Sequence, residues 1–328
     1  MKSSSMLSAC CGVLSLFVAS TSAQEASSPV IRVTESAQGF LFAEGADKVL
    51  FYQRKPKALD GKHRRANYVH PLYDLDGNVL TEDFPADHRH HRGLFWAWHQ
   101  VWVGDKRVGD PWAIKDFSWE VDNARVSHDA ASAGLMVRVL WKSPRWTNDG
   151  GQQAPLVRET TTIRVYRAEK NHRKIDFEIR LVAMVEGLRL GGSDDAKGYG
   201  GFSMRLRLPA DARFTAKRGT VEPQRLSVDA ARWMDLSASY GRGGQLAGVT
   251  TLCHPSLPGF PQRWILRSSR SMQNPVYPGR EPVALSRETP LTLRYRLVVH
   301  RGAVDPRAAE AWQAEYERLD FSRSKKAE

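Results

Sequence analysis

Apolar and polar positions alternate with a period of two over several long runs. Leu291, Leu293, Tyr295, Leu297 and Val299 alternate with Thr292, Arg294, Arg296, Val298 and His300. Ile175, Phe177, Ile179 and Leu181 alternate with Asp176, Glu178 and Arg180, and Leu135, Val137, Val139 and Trp141 form another set. Phe202, Met204, Leu206 and Leu208 oppose Ser203, Arg205 and Arg207, while Thr161, Ile163 and Val165 make a shorter run. Successive side chains of a strand point to opposite faces, so each run predicts a strand with one buried face. One-sided alternation favours antiparallel pairing, and runs of this length favour a large sandwich. Turn signals separate the runs at Asp76-Gly77-Asn78, Gly104-Asp105, Asn148-Asp149-Gly150-Gly151 and Gly241 to Gly244.

One helix is predicted, over 305–320. Asp305 can cap it, Pro306 suits its first turn, and Trp312, Tyr316 and Leu319 fall on one face. The expected fold class is therefore all-β, a large antiparallel β-sandwich closed by a short C-terminal helix. No repeat and no compositional break divides residues 24–328, which read as a single domain ending in a polar tail, Ser322 to Glu328.

The N-terminus changes the setting. Lys2, the apolar or small residues from Met6 to Ala19, and the small triplet Thr21-Ser22-Ala23 have the layout of a secretory signal peptide spanning 1–23, cleaved near Ala23. Leu7-Ser8-Ala9-Cys10 resembles a lipoprotein box but comes too early, with almost no apolar stretch before it. No later segment is apolar over the roughly 20 residues that span a bilayer. A periplasmic or secreted protein without a membrane span is expected. Among the cysteines, Cys10 and Cys11 lie in the leader, so only Cys253 remains and no intrachain disulfide can form. Stability must come from an ordinary core, in which a lone cysteine is an inert residue.

Export also changes the meaning of the charge. The chain carries 48 Lys and Arg against 36 Asp and Glu, a formal net charge of +12. Such a balance suggests nucleic acid in a cytosolic protein, but export removes that partner. The arginines are spread along strands, which reads as a solvated basic surface, with attraction to anionic glycans as the sharper alternative.

Candidate chemistry is densest over 83–102, DFPADHRHHRGLFWAWHQVW. His88, His90, His91 and Arg92 lie beside Asp83 and Asp87, and a strand-like run beginning at Gly93 places Trp96, Trp98 and Trp102 on one face. Aromatic faces with a few placed polar groups are the mix of a small-molecule pocket. The tryptophans can equally be core and the histidines a structural network. His88 and His90, at alternating positions, could also hold a divalent metal through imidazole. Further along, Glu159 opens a strand in VRETTTIRV, and Asp195 and Lys197 sit in a glycine-rich loop where neighbouring charges can tune one another. His254 and Trp264 form another aromatic and polar patch. A Gly-x-Ser-x-Gly elbow and a dinucleotide fingerprint are both missing, which lowers acyl hydrolysis and hydride transfer.

Four segments carry a resemblance: HPLYDLDGNVLTEDFPADHRHHRGLFWAW from His70, SDDAKGYGGFSMRL from Ser193, HPSLPGFPQRW from His254 and LTLRYRLVVHRG from Leu291. Together they resemble a bacterial family of unknown function often labelled "methane oxygenase PmoA-like", over roughly Ile31 to Gly302. The methane oxygenase subunit evoked by that label is a multi-span membrane protein, which this chain does not resemble in hydropathy. The resemblance implies a large sandwich similar to galactose mutarotase-like folds and a carbohydrate role. Carried over by position, its motif residues are Asp83, Asp87, His88, His90, His91, Arg92, Asp195, Lys197 and His254.

The leading expectation is an exported enzyme cleaving or isomerising a sugar or modified glycoside. His91, helped by His90, would be the general acid or base, with Glu159 or Asp195 as partner carboxylate. Arg92 would hold an oxyanion or substrate carboxylate. Trp96 and Trp98 would form the sugar platform, with Asp83, Asp87, Lys197, His254 and Trp264 also binding substrate. The alternatives are a metal-dependent enzyme using His88, His90 and His254, and a non-catalytic carbohydrate-binding protein. No cofactor other than that metal is implied, and neither is a nucleic-acid partner.

Overall fold

The computed structural model describes residue 1, residues 30–241 and residues 243–321. The segment read as a signal peptide and the polar tail fall outside the described residues, apart from residue 1.

Two antiparallel sheets face each other across one shared core. The larger has nine strands, in the order Ser118–His128, Ser132–Thr147, Gln153–Tyr166, His172–Ala183, Leu291–Arg301, Leu246–Cys253, Trp233–Ser239, Arg213–Ala216 and Gly219–Thr220. The smaller has six, in the order Ile31–Glu35, Gly39–Glu44, Asp47–Gln53, Tyr68–Leu72, Leu94–Ala97 and Gly201–Met204. The predicted alternation sets the inner face. Leu135, Val137, Val139, Trp141, Ile163, Val165, Ile175, Ile179, Leu181, Leu293 and Leu297 are all fully buried. They meet Phe40, Phe42, Leu50, Val69, Leu94, Trp96 and Phe202 of the smaller sheet in one cluster. Phe202 stacks on Tyr295 at 4.6 Å between ring centroids, which joins the two sheets by direct aromatic contact. The fold class expected from the sequence, a mostly antiparallel β-sandwich with a C-terminal helix, is the one observed.

Several strands are buried on both faces, which alternation alone does not predict, among them Leu291–Arg301 and Gly201–Met204. In Leu291–Arg301 the outward residues Arg296, Val298 and His300 are also buried. The cause is the helix Pro306–Glu317, which lies on the outer face there and packs Ala309 and Tyr316 against Trp233, Leu252 and Val298. Asp305 caps it, its side chain accepting from the Arg307 amide, and Pro306 occupies the first turn. In Gly201–Met204 Ser203 is fully buried, because the short strand Asn274–Pro275 covers it and Asn274 Nδ2 donates to its hydroxyl at 3.1 Å. On that side Tyr68 and Phe95 of the sheet pack with Trp112, Ile265 and Met272 in a separate hydrophobic cluster.

The basic charge lies largely in the open. Arg125, Arg138, Arg158 and Arg180, one from each of four adjacent strands, line a groove of about 470 Å³ on the outer face of the nine-stranded sheet. No helix among the described residues is long and apolar enough to cross a membrane. Cys253 is free and fully buried, and burial pushes its thiol pKa up.

Candidate active site

The histidine segment folds as a loop closed at its base by backbone pairing of Asp83 with Arg92. Gly93 ends the loop at φ +49°, and a Cβ there would stand 2.0 Å from the Val69 carbonyl oxygen. Only glycine combines that backbone conformation with so close an approach.

Within the loop three imidazoles pack together. His88 stacks on His91 at 4.7 Å and 5°, and His90 meets both edge-on, at 5.7 Å and 4.6 Å. Beneath them Arg205 is the organising cation. It donates two bonds to Asp87, at 2.8 and 2.9 Å, and one to Glu82 at 2.6 Å. Asp87 in turn holds Nδ1 of His88 at 2.6 Å. Partial burial works against the Asp87 carboxylate, but the Arg205 and His88 bonds outweigh it and hold its pKa well below the usual range.

Several expected roles do not survive this geometry. His91 is 2% exposed, under its neighbours and against Phe95 and Trp112. Burial first, then the nearby His90 and His88, pull its pKa down to about 2. A ring that stays neutral and out of reach is not a general acid or base for a bound substrate. Arg92 is fully buried, clamped between the Phe84 ring at 3.4 Å and the Tyr68 ring at 4.7 Å. Its guanidinium donates to Asp83, to the His63 carbonyl at 2.8 Å, to the Tyr68 hydroxyl at 2.6 Å and through both Nη atoms to the Lys57 carbonyl at 3.4 Å, so no donor is left for an oxyanion. Asp83 is used up by Arg92 and by Lys57 at 2.7 Å. These residues hold the loop rather than touch a ligand.

Glu159 is corrected more sharply. It is fully buried on the inner face of the nine-stranded sheet, in the core between the sheets. Asn67 Nδ2 donates to both carboxylate oxygens at 2.9 Å, Trp96 Nε1 to one at 2.7 Å, Trp141 Nε1 to the other at 2.8 Å, and Thr161 Oγ1 at 2.6 Å. Trp96 lies in the opposite sheet and Asn67 directly precedes one of its strands, so Glu159 staples the sandwich. Burial raises its pKa and the four donors oppose the rise. Trp96, Trp98 and Trp264 are also core, each 1% exposed or less, and none can serve as a sugar platform. Trp98 instead donates to the Tyr277 carbonyl at 3.0 Å and supports a surface loop from below. His254 lies elsewhere, packed edge-on against Tyr316 and Phe321 beside the helix. Burial, then Arg294, lowers its pKa to about 4.

That separation also decides the metal reading. His254 is not with the loop histidines, and His88 and His90 are set edge to face. Among the described residues no three His, Cys, Asp or Glu side chains are placed to hold a metal ion. The residues present do not fit that group.

What the fold gathers on the outer face of the smaller sheet is a different set. His99 Nδ1 lies 3.0 Å from Asp110 Oδ2, while His99 Nε2 has no hydrogen-bond partner. The ring stacks on Trp112 at 5.3 Å and meets Tyr199 edge-on at 5.1 Å. His90 is half-buried, and neither of its ring nitrogens bonds any described residue. Burial, then the charges of Arg65, His88, His99 and His63, take its pKa down to about 4. Arg65 lies beneath, fully buried between the Phe95 and Trp119 rings, and its Nε and Nη1 atoms have no partner. Burial first and then Arg92 bring its pKa down to about 9.

Tyr199 connects this face to Asp195 and Lys197. The Lys197 ammonium lies 5.4 Å from the Tyr199 ring and pairs with Asp195 at 2.9 Å. Burial works against the Asp195 carboxylate, but the Lys197 and Ser193 bonds lower its pKa to about 2. Asp195 and Lys197 border a cavity of about 480 Å³ whose far wall is the loop from Pro258 to Arg263. The sequence therefore named Asp195, Lys197 and His90 within reach of this region and missed His99, Asp110, Tyr199, Arg65 and Arg205. His99 sits inside the same tryptophan-rich stretch, and Asp110-Pro111-Trp112 is a turn signal eleven positions on, but nothing in one sequence pairs them.

Among solved structures the chain is similar to a "putative mutarotase (YeaD)" from Salmonella typhimurium, at a TM-score of 0.32 and 9% identity, covering 83% of this chain and 94% of that one. No curated protein sequence matches. Residues 41–313 match the family model described as "Family of unknown function (DUF6807)", and the chain belongs to that family.

Proposed function

We propose that this protein is an exported carbohydrate-active enzyme that cleaves or isomerises a sugar or modified glycoside by imidazole and carboxylate chemistry, with His99 as general base and Asp110 as its orienting partner. The observation that carries the reading is the asymmetry of His99. Asp110 accepts from Nδ1, which fixes the tautomer with the lone pair on Nε2, and Nε2 is left without a partner. An unpaired buried nitrogen costs stability, and a proton-transfer role supplies a reason to keep it.

The surroundings fit such a role. Arg65 places a buried, incompletely paired positive charge under the face. In a poorly solvated site that charge favours negative charge developing on a substrate hydroxyl or carbonyl above it. His90, neutral at pH 7, can donate or accept a hydrogen bond without adding charge. Trp112 and Tyr199 pack against the His99 ring, so substrate must shift the half-buried Tyr199 to reach Nε2.

The leader-like N-terminus supports export, and the substrate class rests on the mixture of aromatic walls, paired charges and neutral acceptors on this face. The test is kinetic. Across a panel of glycosides and oxidised keto-sugars, His99→Asn lowers turnover by about 10²–10⁴-fold while the protein stays folded; equal turnover in the variant overturns the assignment.

A further inference from the structure

The cavity of about 480 Å³ between the Asp195–Gly198 loop and the Pro258–Arg263 loop lies in the volume range of small-molecule sites. One of its lining residues carries an unusual polar atom. Gln262 is 4% exposed and donates through Nε2 to the Pro258 carbonyl at 2.9 Å, which fixes the orientation of its amide. The opposite end, Oε1, is buried with no partner. A buried amide oxygen without a donor is costly, and a ligand hydroxyl supplies what it needs once the side chains that cover the oxygen shift to admit it.

The charges around the cavity specify more. Lys197 is paired with Asp195 at 2.9 Å, Arg280 with Asp194 at 2.9 Å, and Arg263 with Asp229 at 3.1 Å. Each cation already has its anion, so the rim offers no unmatched charge to an ionic ligand. Pro258, Pro261, Pro278 and Tyr277 supply apolar wall. The Tyr277 segment is held from below by the Trp98 bond and approached closely by Gly200 and Gly201, which keeps the wall in place.

We propose that this cavity is a binding subsite for a neutral, hydroxyl-rich ring, a single uncharged sugar unit that donates a hydroxyl proton to Gln262 Oε1. The inference deepens the reading of the same face and rests on it for the identity of the ligand as a sugar. Tyr199, between His99 and Lys197, links the subsite to the proposed base.

The test is calorimetric titration of the mature protein with neutral methyl glycosides and with their uronate and 6-phosphate counterparts. Two variants report on the cavity: Gln262→Leu removes the acceptor, and Ala196→Trp fills the mouth from an exposed position without touching Gln262. The expected result is saturable binding of a neutral glycoside to the parent protein and to His99→Asn, at least tenfold weaker in both cavity variants. Unchanged affinity in Ala196→Trp, tighter binding of the charged sugars, or no binding of any sugar to the parent overturns the proposal. Loss of turnover in His99→Asn with unchanged binding in the cavity variants sinks the subsite and leaves the catalytic reading standing. Full turnover in His99→Asn with binding lost in the cavity variants does the reverse.

Discussion

Asp110 Oδ2 accepts from Nδ1 of His99 at 3.0 Å, and the other nitrogen of that ring bonds nothing among the described residues. The pair comes from the end of the strand Leu94–Ala97 and from the turn after Lys106–Gly109, two places that only the folded chain brings together.

Asp110→Asn should separate orientation from chemistry. The amide can still hold the ring, but it can donate to Nδ1 and so favour the wrong tautomer. Turnover is expected to fall by about 10-fold or more, with His99→Asn falling further. A measured kcat for Asp110→Asn equal to that of the parent would remove Asp110 from the mechanism.

The buried histidines set a pH dependence of stability. His90 and His91 are held neutral in the folded chain, at about 4 and about 2, against an unfolded value near 6.5. The unfolded chain therefore binds more protons once the pH drops below about 6.5, and stability falls from there toward the folded values. Asp87 and Asp195, lowered in the fold, add their loss only further down, below the ordinary carboxylate range near 4. Urea midpoints measured between pH 7.5 and 4.5 should decline for the parent. His91→Gln should decline less steeply, by about one proton, or ~1.4 kcal/mol per pH unit. Parallel slopes would contradict the burial of His91.

Glu159 predicts a stability defect without a chemical one. Glu159→Leu strands four donors, from Asn67, Trp96, Trp141 and Thr161. Unfolding free energy should drop by about 3–5 kcal/mol, while the folded fraction keeps its kcat. A stable variant with abolished turnover would return Glu159 to the catalytic list.

Gly93→Ala should damage the histidine loop from its base. The added methyl meets the Val69 carbonyl at a positive φ, and a loss of about 2–4 kcal/mol is expected from thermal unfolding. An alanine variant as stable as the parent would contradict the close approach.

Much of the fold was legible because alternation reports burial directly. The runs Ile175–Leu181 and Leu291–Val299 fall where the core needs them. The same signal failed for Arg296 and Ser203, because the helix that follows the Arg296 strand and the distant segment Asn274–Pro275 cover their faces. The site was harder. The tryptophans and Glu159 drew notice by residue type, yet Trp96 and Trp141 bond Glu159 inside the core. The charge cluster at Asp83, Asp87 and Arg92 turned out to be loop scaffolding, completed by an arginine, Arg205, far away in sequence. His99 carried no local mark because its partner and its aromatic neighbours, Asp110, Trp112 and Tyr199, arrive only through tertiary structure.

The most direct test follows sugar turnover by proton NMR, with the parent protein and His99→Asn side by side on one panel of glycosides and keto-sugars. The account predicts that the parent changes the anomeric or glycosidic signals of at least one member and that His99→Asn does so at least 100-fold more slowly. Equal rates in the two proteins, or no turnover by the parent of any sugar that it binds, would contradict an acid–base site at His99.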